Sequence, residues 1–292
     1  MSQTVKKEVF GTTERGQEVL LFRIPNNTND YIEVTNYGCS IRGIYVHNNQ
    51  GVIQNVTWGG KSLSEYEKTN PSTIFGGKLG QALAHKVWDV VDVGENYVFM
   101  ASQCEADEAG CSSAVKVGCH IMWVNLNRLV IDLFVTPAKS VELPLSTQLL
   151  VDADRYKDLK VRSFCPQVME PGKEPRPVNE TKYADMQFSD VDGAADTFVS
   201  SHEEIKPMAE LADMGEGMYL SAYTTLSALR MEKEAAFGAV RLVQEACQPV
   251  ALGSGVSFTA RAIYGVDYLR PQPASEEEEV DVNPMSIFFA GE

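Results

Sequence analysis

The sequence predicts an all-β protein built as one large β-sandwich, and three observations carry that prediction. Period-two and β-branched runs recur from end to end, turn signals separate them at regular spacing, and helical periodicity is scarce. The first strand is predicted over 19–24 and is stopped by Pro25-Asn26-Asn27. A second, over 31–37, alternates and then breaks at Gly38. A third, over 40–46, closes on the polar turn His47-Asn48-Asn49-Gln50-Gly51. A fourth, over 52–58, is stopped by Gly59-Gly60. Further strands are predicted over 87–93, 97–102, 114–124, 128–136, 218–225, 239–243 and 256–264. Short helices are predicted over 62–67 and over 201–212, the second interrupted by Pro207. The proline-rich stretch 166–177 reads as a long surface loop. A glycine-rich phosphate loop and βαβ alternation are both missing, which disfavours a nucleotide-binding α/β fold.

The chain has 292 residues, 44% of them hydrophobic, enough for a sizeable core. A single domain over 1–274 is expected, followed by an acidic tail over 275–292. That tail carries Glu276-Glu277-Glu278-Glu279 and then the apolar Met285-Ser286-Ile287-Phe288-Phe289, expected to dock back on the body or on a partner. The net charge of −15 repels phosphate backbones and anionic lipid, so neither nucleic acid nor membrane is an expected partner. The N-terminus has no apolar run behind it, and a cytoplasmic location is expected. Six cysteines are scattered without a CxxC, and the spacing of Cys104, Cys111, Cys119 and His120 matches no familiar zinc site. Reduced thiols are expected, with no metal and no cofactor.

Several segments resemble the galactose mutarotase (aldose 1-epimerase) family, in the right order. Thr35-Asn36-Tyr37-Gly38-Cys39-Ser40-Ile41 is similar to that family's Asn-Tyr-Gly-Ala-Thr-Ile. Asn55-Val56-Thr57-Trp58-Gly59-Gly60 resembles its Asp-Val-Val-Leu-Gly-Phe, and Ser62 to Tyr66 its short helix ending in Tyr. Leu252-Gly253-Ser254-Gly255 resembles its last strand. The resemblance covers most of 9–270. It implies a galactose-mutarotase-like β-supersandwich whose concave face holds the sugar. It also implies a mechanism: a Glu base deprotonates the anomeric hydroxyl, a His acid protonates the ring oxygen, and the ring opens and recloses.

Each position that the resemblance implies departs from the family pattern. The family's Asn-Leu-Thr-Asn-His-Ser-Tyr aligns with the segment around Leu145-Ser146-Thr147-Gln148, so Gln148 stands where the acid would be. An amide hydrogen-bonds a sugar oxygen but delivers no proton near neutral pH. Gly77-Lys78-Leu79-Gly80-Gln81-Ala82-Leu83 aligns with Gly-Arg-x-Ala-Asn-Arg-Ile, so Gln81 keeps an amide while Ala82 replaces a sugar-binding Arg. Between Gly94 and Ala114, where the family has another His, the chain has Glu105, Asp107 and Glu108 but no His. The family's Leu-Glu-x-Gln-x-x-Pro aligns with Leu242-Val243-Gln244-Glu245-Ala246-Cys247-Gln248-Pro249, one residue longer. Anchoring on Leu242 puts Val243 at the base position, and anchoring on Pro249 puts Gln244 there. Glu245 is the segment's carboxylate and shares a strand face with Val243.

The expectation is therefore an aldose 1-epimerase-like, carbohydrate-associated protein that is catalytically degenerate and acts in sugar binding or regulation. Gln81, Gln148, Trp88 and Gln244 are the expected sugar contacts. One alternative is an active sugar isomerase with a rebuilt site, Glu245 as base and Glu105, Asp107 or His85 as acid. Another is a protein-interaction module on an inherited sugar fold. The expected partner is a neutral monosaccharide or a protein.

Overall fold

The computed structural model describes residues 4–69, 72–74, 76–191, 195–200 and 204–269. The chain opens with an antiparallel meander: β1 Lys6–Thr12, β2 Glu18–Pro25, β3 Tyr31–Thr35, β4 Ser40–His47 and β5 Ile53–Asn55. Two short helices follow, α1 Leu63–Thr69 and α2 Gly77–Leu83. A second meander is formed by β6 Asp89–Val93, β7 Tyr97–Cys104, β8 Val115–Val124 and β9 Arg128–Pro137. The next strands are β10 Val141–Leu143, β11 Ser146–Asp152, β12 Leu159–Ser163, β13 Gln167–Met169, β14 Arg176–Pro177, β15 Ser189–Asp190 and β16 Asp196–Val199. The last are β17 Lys206–Asp213, β18 Met218–Thr224, β19 Ala228–Glu234, β20 Ala239–Glu245, β21 Val250–Leu252 and β22 Phe258–Tyr268.

Two sheets dominate. One has nine strands in the order β15-β12-β17-β18-β22-β9-β8-β7-β6, the other six in the order β11-β20-β19-β16-β13-β14. Every pairing is antiparallel. Residues opposite each other in an antiparallel ladder project to the same side, so register assigns the faces. In the six-stranded sheet, Leu149 pairs with Leu242, which pairs with Met231. All three belong to the main hydrophobic core, as do Val240, Leu229 and Phe198. The nine-stranded sheet supplies the facing layer: Ile121, Ile131 and Ala262 form one row across three strands. Burial of these two inner faces is the main driving force for closing the sandwich.

The free edge of β11 is covered rather than left open. Bridges run from Thr57 to Val151 and from Ile74 to Thr147, and the Trp58 amide donates to the Leu150 carbonyl at 3.0 Å. These contacts satisfy backbone groups that an exposed edge would offer to other chains.

The structure departs from the sequence reading in several places, among them 166–177, read as a surface loop, whose ends pair as β13 and β14. Residues 206–213 form β17, not a helix; its pairing with β18 shifts register between Pro207 and Ala209, where a missing N–H is tolerated. Residues 77–83 form α2, which buries Leu79, Ala82 and Leu83; its two glycines and short length hide the helical signal. Of the strand predicted over 52–58, Ile53–Asn55 joins the first meander, and Thr57 and Trp58 cap β11. Pairing over 228–234, in β19, was not anticipated by the strand reading. The acidic tail lies outside the described residues, as does His202.

Candidate functional site

The outer face of the six-stranded sheet carries a charged network whose geometry follows from register. Gln148 on β11 is directly opposite Val243 on β20, which is opposite Arg230 on β19, which is opposite Thr197 on β16. The neighbouring row places Glu232 opposite Arg241 and Arg241 opposite Leu150. The row on the other side places Glu245 between Ser146 and Ala228. Charged residues thus meet directly or diagonally on one face, within reach of each other's side chains.

Arg241 is the centre of the network. One guanidinium nitrogen donates to the Gln148 amide oxygen at 2.6 Å, and another pairs with Glu234 at 2.6 Å. Its Nε lies 3.2 Å from Glu232. Arg230 pairs with Glu245 through Nε at 3.1 Å and with Glu232 through Nη1 at 2.5 Å. Burial works against the Arg230 charge, but Glu245 and Glu232 outweigh it and hold the group above the ordinary arginine value.

Gln148 is locked at both ends. Its amide nitrogen donates to the Ser72 carbonyl at 2.6 Å while its oxygen accepts from Arg241. Its exposure is 3%, that of Val243 0% and that of Arg241 6%. The centre of this face is therefore packed with its own side chains. Its rim is more open, with Arg230, Glu232 and Glu245 half-buried. Beside the end of the sheet, Trp58 stacks on Phe237, with ring centroids 4.8 Å apart.

The expected site residues divide among several places. Gln148 and Glu245 share the outer face of the six-stranded sheet as diagonal neighbours. Gln244 is on the opposite face, directly across from Thr147, with an exposure of 0%. There the Tyr264 hydroxyl approaches Gln244 and Thr147, but the amide atoms, Tyr264 Oη and Thr147 Oγ1 form no hydrogen bond of good geometry. Trp88 is in the core, its Nε1 donating to the Leu83 carbonyl at 3.2 Å. Gln81 is exposed on α2.

The carboxylates proposed as alternative acids are on a separate loop. Glu105 accepts from Gln103 Nε2 at 2.7 Å, and Asp107 adopts a left-handed backbone with φ of 69°. His85 is exposed next to α2, with the Tyr37 hydroxyl 3.3 Å from its Nδ1. His47 pairs with Asp30 at 2.6 Å. His120 packs against Tyr97 and Phe99, and burial lowers its basicity. Among the described residues, no three His, Cys, Asp or Glu side chains are arranged to hold a metal ion, and no helix is long and apolar enough to cross a membrane. All six cysteines are free thiols, and only Cys247 is exposed.

Arg230, Arg241, Glu232 and Glu234 escaped the sequence reading. The signal was present in Ala228-Leu229-Arg230-Met231-Glu232-Lys233-Glu234. Apolar and charged residues alternate over 229–232, the mark of a strand with one buried face, before Lys233 breaks the pattern.

No protein-family model matches the sequence, and no curated protein matches it. Solved structures do resemble the fold. A galactose 1-epimerase from Lactobacillus acidophilus superposes with a TM-score of 0.76 at 12% identity, over 91% of this chain and 99% of that one. A GalM/aldose epimerase homologue from C. elegans gives 0.73 at 12% identity, over 85% and 99%. A galactose mutarotase-like protein from Clostridium acetobutylicum gives 0.68 at 7% identity, over 92% and 99%. At these identities the likeness establishes the fold: the chain is a galactose-mutarotase-like β-supersandwich.

Proposed function

We propose that this is a catalytically degenerate, aldose 1-epimerase-like protein that acts in sugar binding or regulation. One observation carries the reading. Gln148 and Val243, the aligned acid position and one of the two aligned base positions, are cross-strand partners, buried under the Arg241 and Arg230 ion pairs. Neither an amide nor an isopropyl group transfers a proton, and acid and base steps each contribute about 10²–10⁴ in rate. Polar groups for a neutral sugar remain on the rim, at Arg230, Glu232 and Glu245, with Trp58 and Phe237 at the sheet's end.

Polarimetry on freshly dissolved α-D-glucose and α-D-galactose tests this. Acceleration over buffer is expected to be slight, and Gln148→His is expected not to restore turnover, because Val243 remains opposite it. Robust mutarotation by the parent chain would overturn the reading. Calorimetry should find neutral hexoses binding with dissociation constants on the order of millimolar, since a few exchanged hydrogen bonds barely exceed the association cost. Hexose phosphates should bind more weakly, because the two arginines are already paired with three glutamates on a chain of net charge −15.

A second reading has its own support. Glu245 is half-buried on the outer face and oriented by Arg230, which suits a base in a rebuilt isomerase site. That reading requires mutarotation that disappears in Glu245→Gln.

A further inference from the structure

A cavity of about 350 Å³ opens at the C-terminal end of α2, away from the charged network of the six-stranded sheet. Its wall is built by a close backbone approach. Gly38 has a positive φ of 62°, and a Cβ there would lie 2.4 Å from the Ala84 carbonyl oxygen. Only glycine lets the strand end draw this near. The Gly38 amide then donates to the Lys86 carbonyl at 2.8 Å, and Tyr37 bridges to Val87. The result is a buried Tyr37 whose hydroxyl meets His85 Nδ1 at 3.3 Å inside the cavity.

The other walls are polar and of both signs. Glu67 lines the cavity from α1, and Arg15 from the turn between β1 and β2. Lys86 closes one side, pinned by the Gln103 carbonyl at 2.6 Å and by Glu108 at 2.7 Å. Burial, then the Glu67 charge, raises the Tyr37 phenol, which stays a neutral donor and acceptor. The phenol and Nδ1 are within hydrogen-bond reach, with donor and acceptor set by the His85 tautomer, and the ring is exposed.

We infer that this cavity is a second binding site, taking a small, neutral, polyhydroxylated molecule. The size is at the lower end for small-ligand sites. An apolar ligand finds few partners among these walls, and an anion meets carboxylates as well as cations. Vicinal hydroxyls satisfy both kinds of group: they donate to Glu67, accept from Arg15 and pair with His85 in either tautomer. The site shares no residue with the rim of the six-stranded sheet, so it stands whether or not that rim binds sugar.

The imidazoles report on it directly. The full chain has four histidines, and His85 is assigned by the signal lost in His85→Gln. Two-dimensional ¹H–¹⁵N spectra of the rings are recorded while glucose, galactose, ribose, glycerol and glucose 6-phosphate are titrated in. At least one neutral compound is expected to shift His85 saturably. Glu67→Gln is expected to weaken that binding about tenfold, the loss of one hydrogen bond to a charged group. Tyr37→Phe, which removes one oxygen only, should weaken it as well, whereas Glu245→Gln should leave it unchanged. The inference is overturned if no neutral compound moves His85, if glucose 6-phosphate moves it more than its parent, or if Glu67→Gln binds as the parent does. Calorimetric binding of a hexose without a His85 shift would refute this site while leaving the sugar-binding reading of the sheet intact.

Discussion

Two buried glutamines, one on each of two paired strands, meet opposite fates. Gln148 on β11 and Gln244 on β20 are both at least nine-tenths buried, but they project from opposite faces of the same sheet. Gln148 uses both ends of its amide, one on a carbonyl and one on a guanidinium. Gln244 faces the layer between the sheets, where the Tyr264 hydroxyl approaches it without a hydrogen bond of good geometry. Sequence treats them as the same residue type in the same kind of motif. Their environments make one a keystone of a polar network and leave the other weakly compensated in the core.

The largest effect expected from this contrast is at Arg241. Arg241→Ala removes the partner of Gln148 and two glutamates at once, and should lower unfolding stability by about 3–5 kcal/mol in urea titrations. A loss under about 1 kcal/mol would show that the network merely decorates the face. Gln148→Leu comes next, at about 1–3 kcal/mol, because the Ser72 carbonyl and one Arg241 N–H lose their partner while the guanidinium keeps its glutamates. In the double variant the two losses should fall short of their sum, since both delete the same bond. At Gln244 the expectation reverses. Gln244→Leu should leave stability within about 1 kcal/mol of the parent or raise it, because no hydrogen bond of good geometry is lost and apolar area is gained. A loss as large as that of Gln148→Leu would erase the contrast. The smallest effect is expected at Gln81→Ala, exposed on α2, with a change within about 0.5 kcal/mol.

Much of the fold was legible because alternation is a local property. The runs over 19–24, 40–46, 97–102, 114–124 and 128–136 all became strands, with ends within one or two residues. The helix over 62–67 became α1, whose Leu63 and Tyr66 pack with Val19 and Tyr37. Non-local pairing decided the failures. Residues 206–213 hold residues that suit either state, and the partner strand β18 chose for them. The candidate site was less legible. Motif alignment brought out Gln148 and Glu245, but not Arg241, which is 93 residues from Gln148 and belongs to no family motif.

Period two in 239–245 was enough to place Leu242 with the apolar face and Val243 and Glu245 together on the other, since successive side chains alternate whatever the strand pairs with. The same alternation sets Gln244 on the face of Leu242, away from Glu245, so its expectation as a sugar contact fails. Composition alone set the acidic surface. What no local pattern carries is register. A shift of one residue between β11 and β20 would turn Gln148 into the core and Thr147 toward Arg241. The choice rests on burying Leu149, Val151, Val240 and Leu242 together, a sum over both sheets. That same packing brings Arg230 and Arg241 under three glutamates. Tertiary structure therefore decided that the face is filled with ion pairs at its centre and polar at its rim.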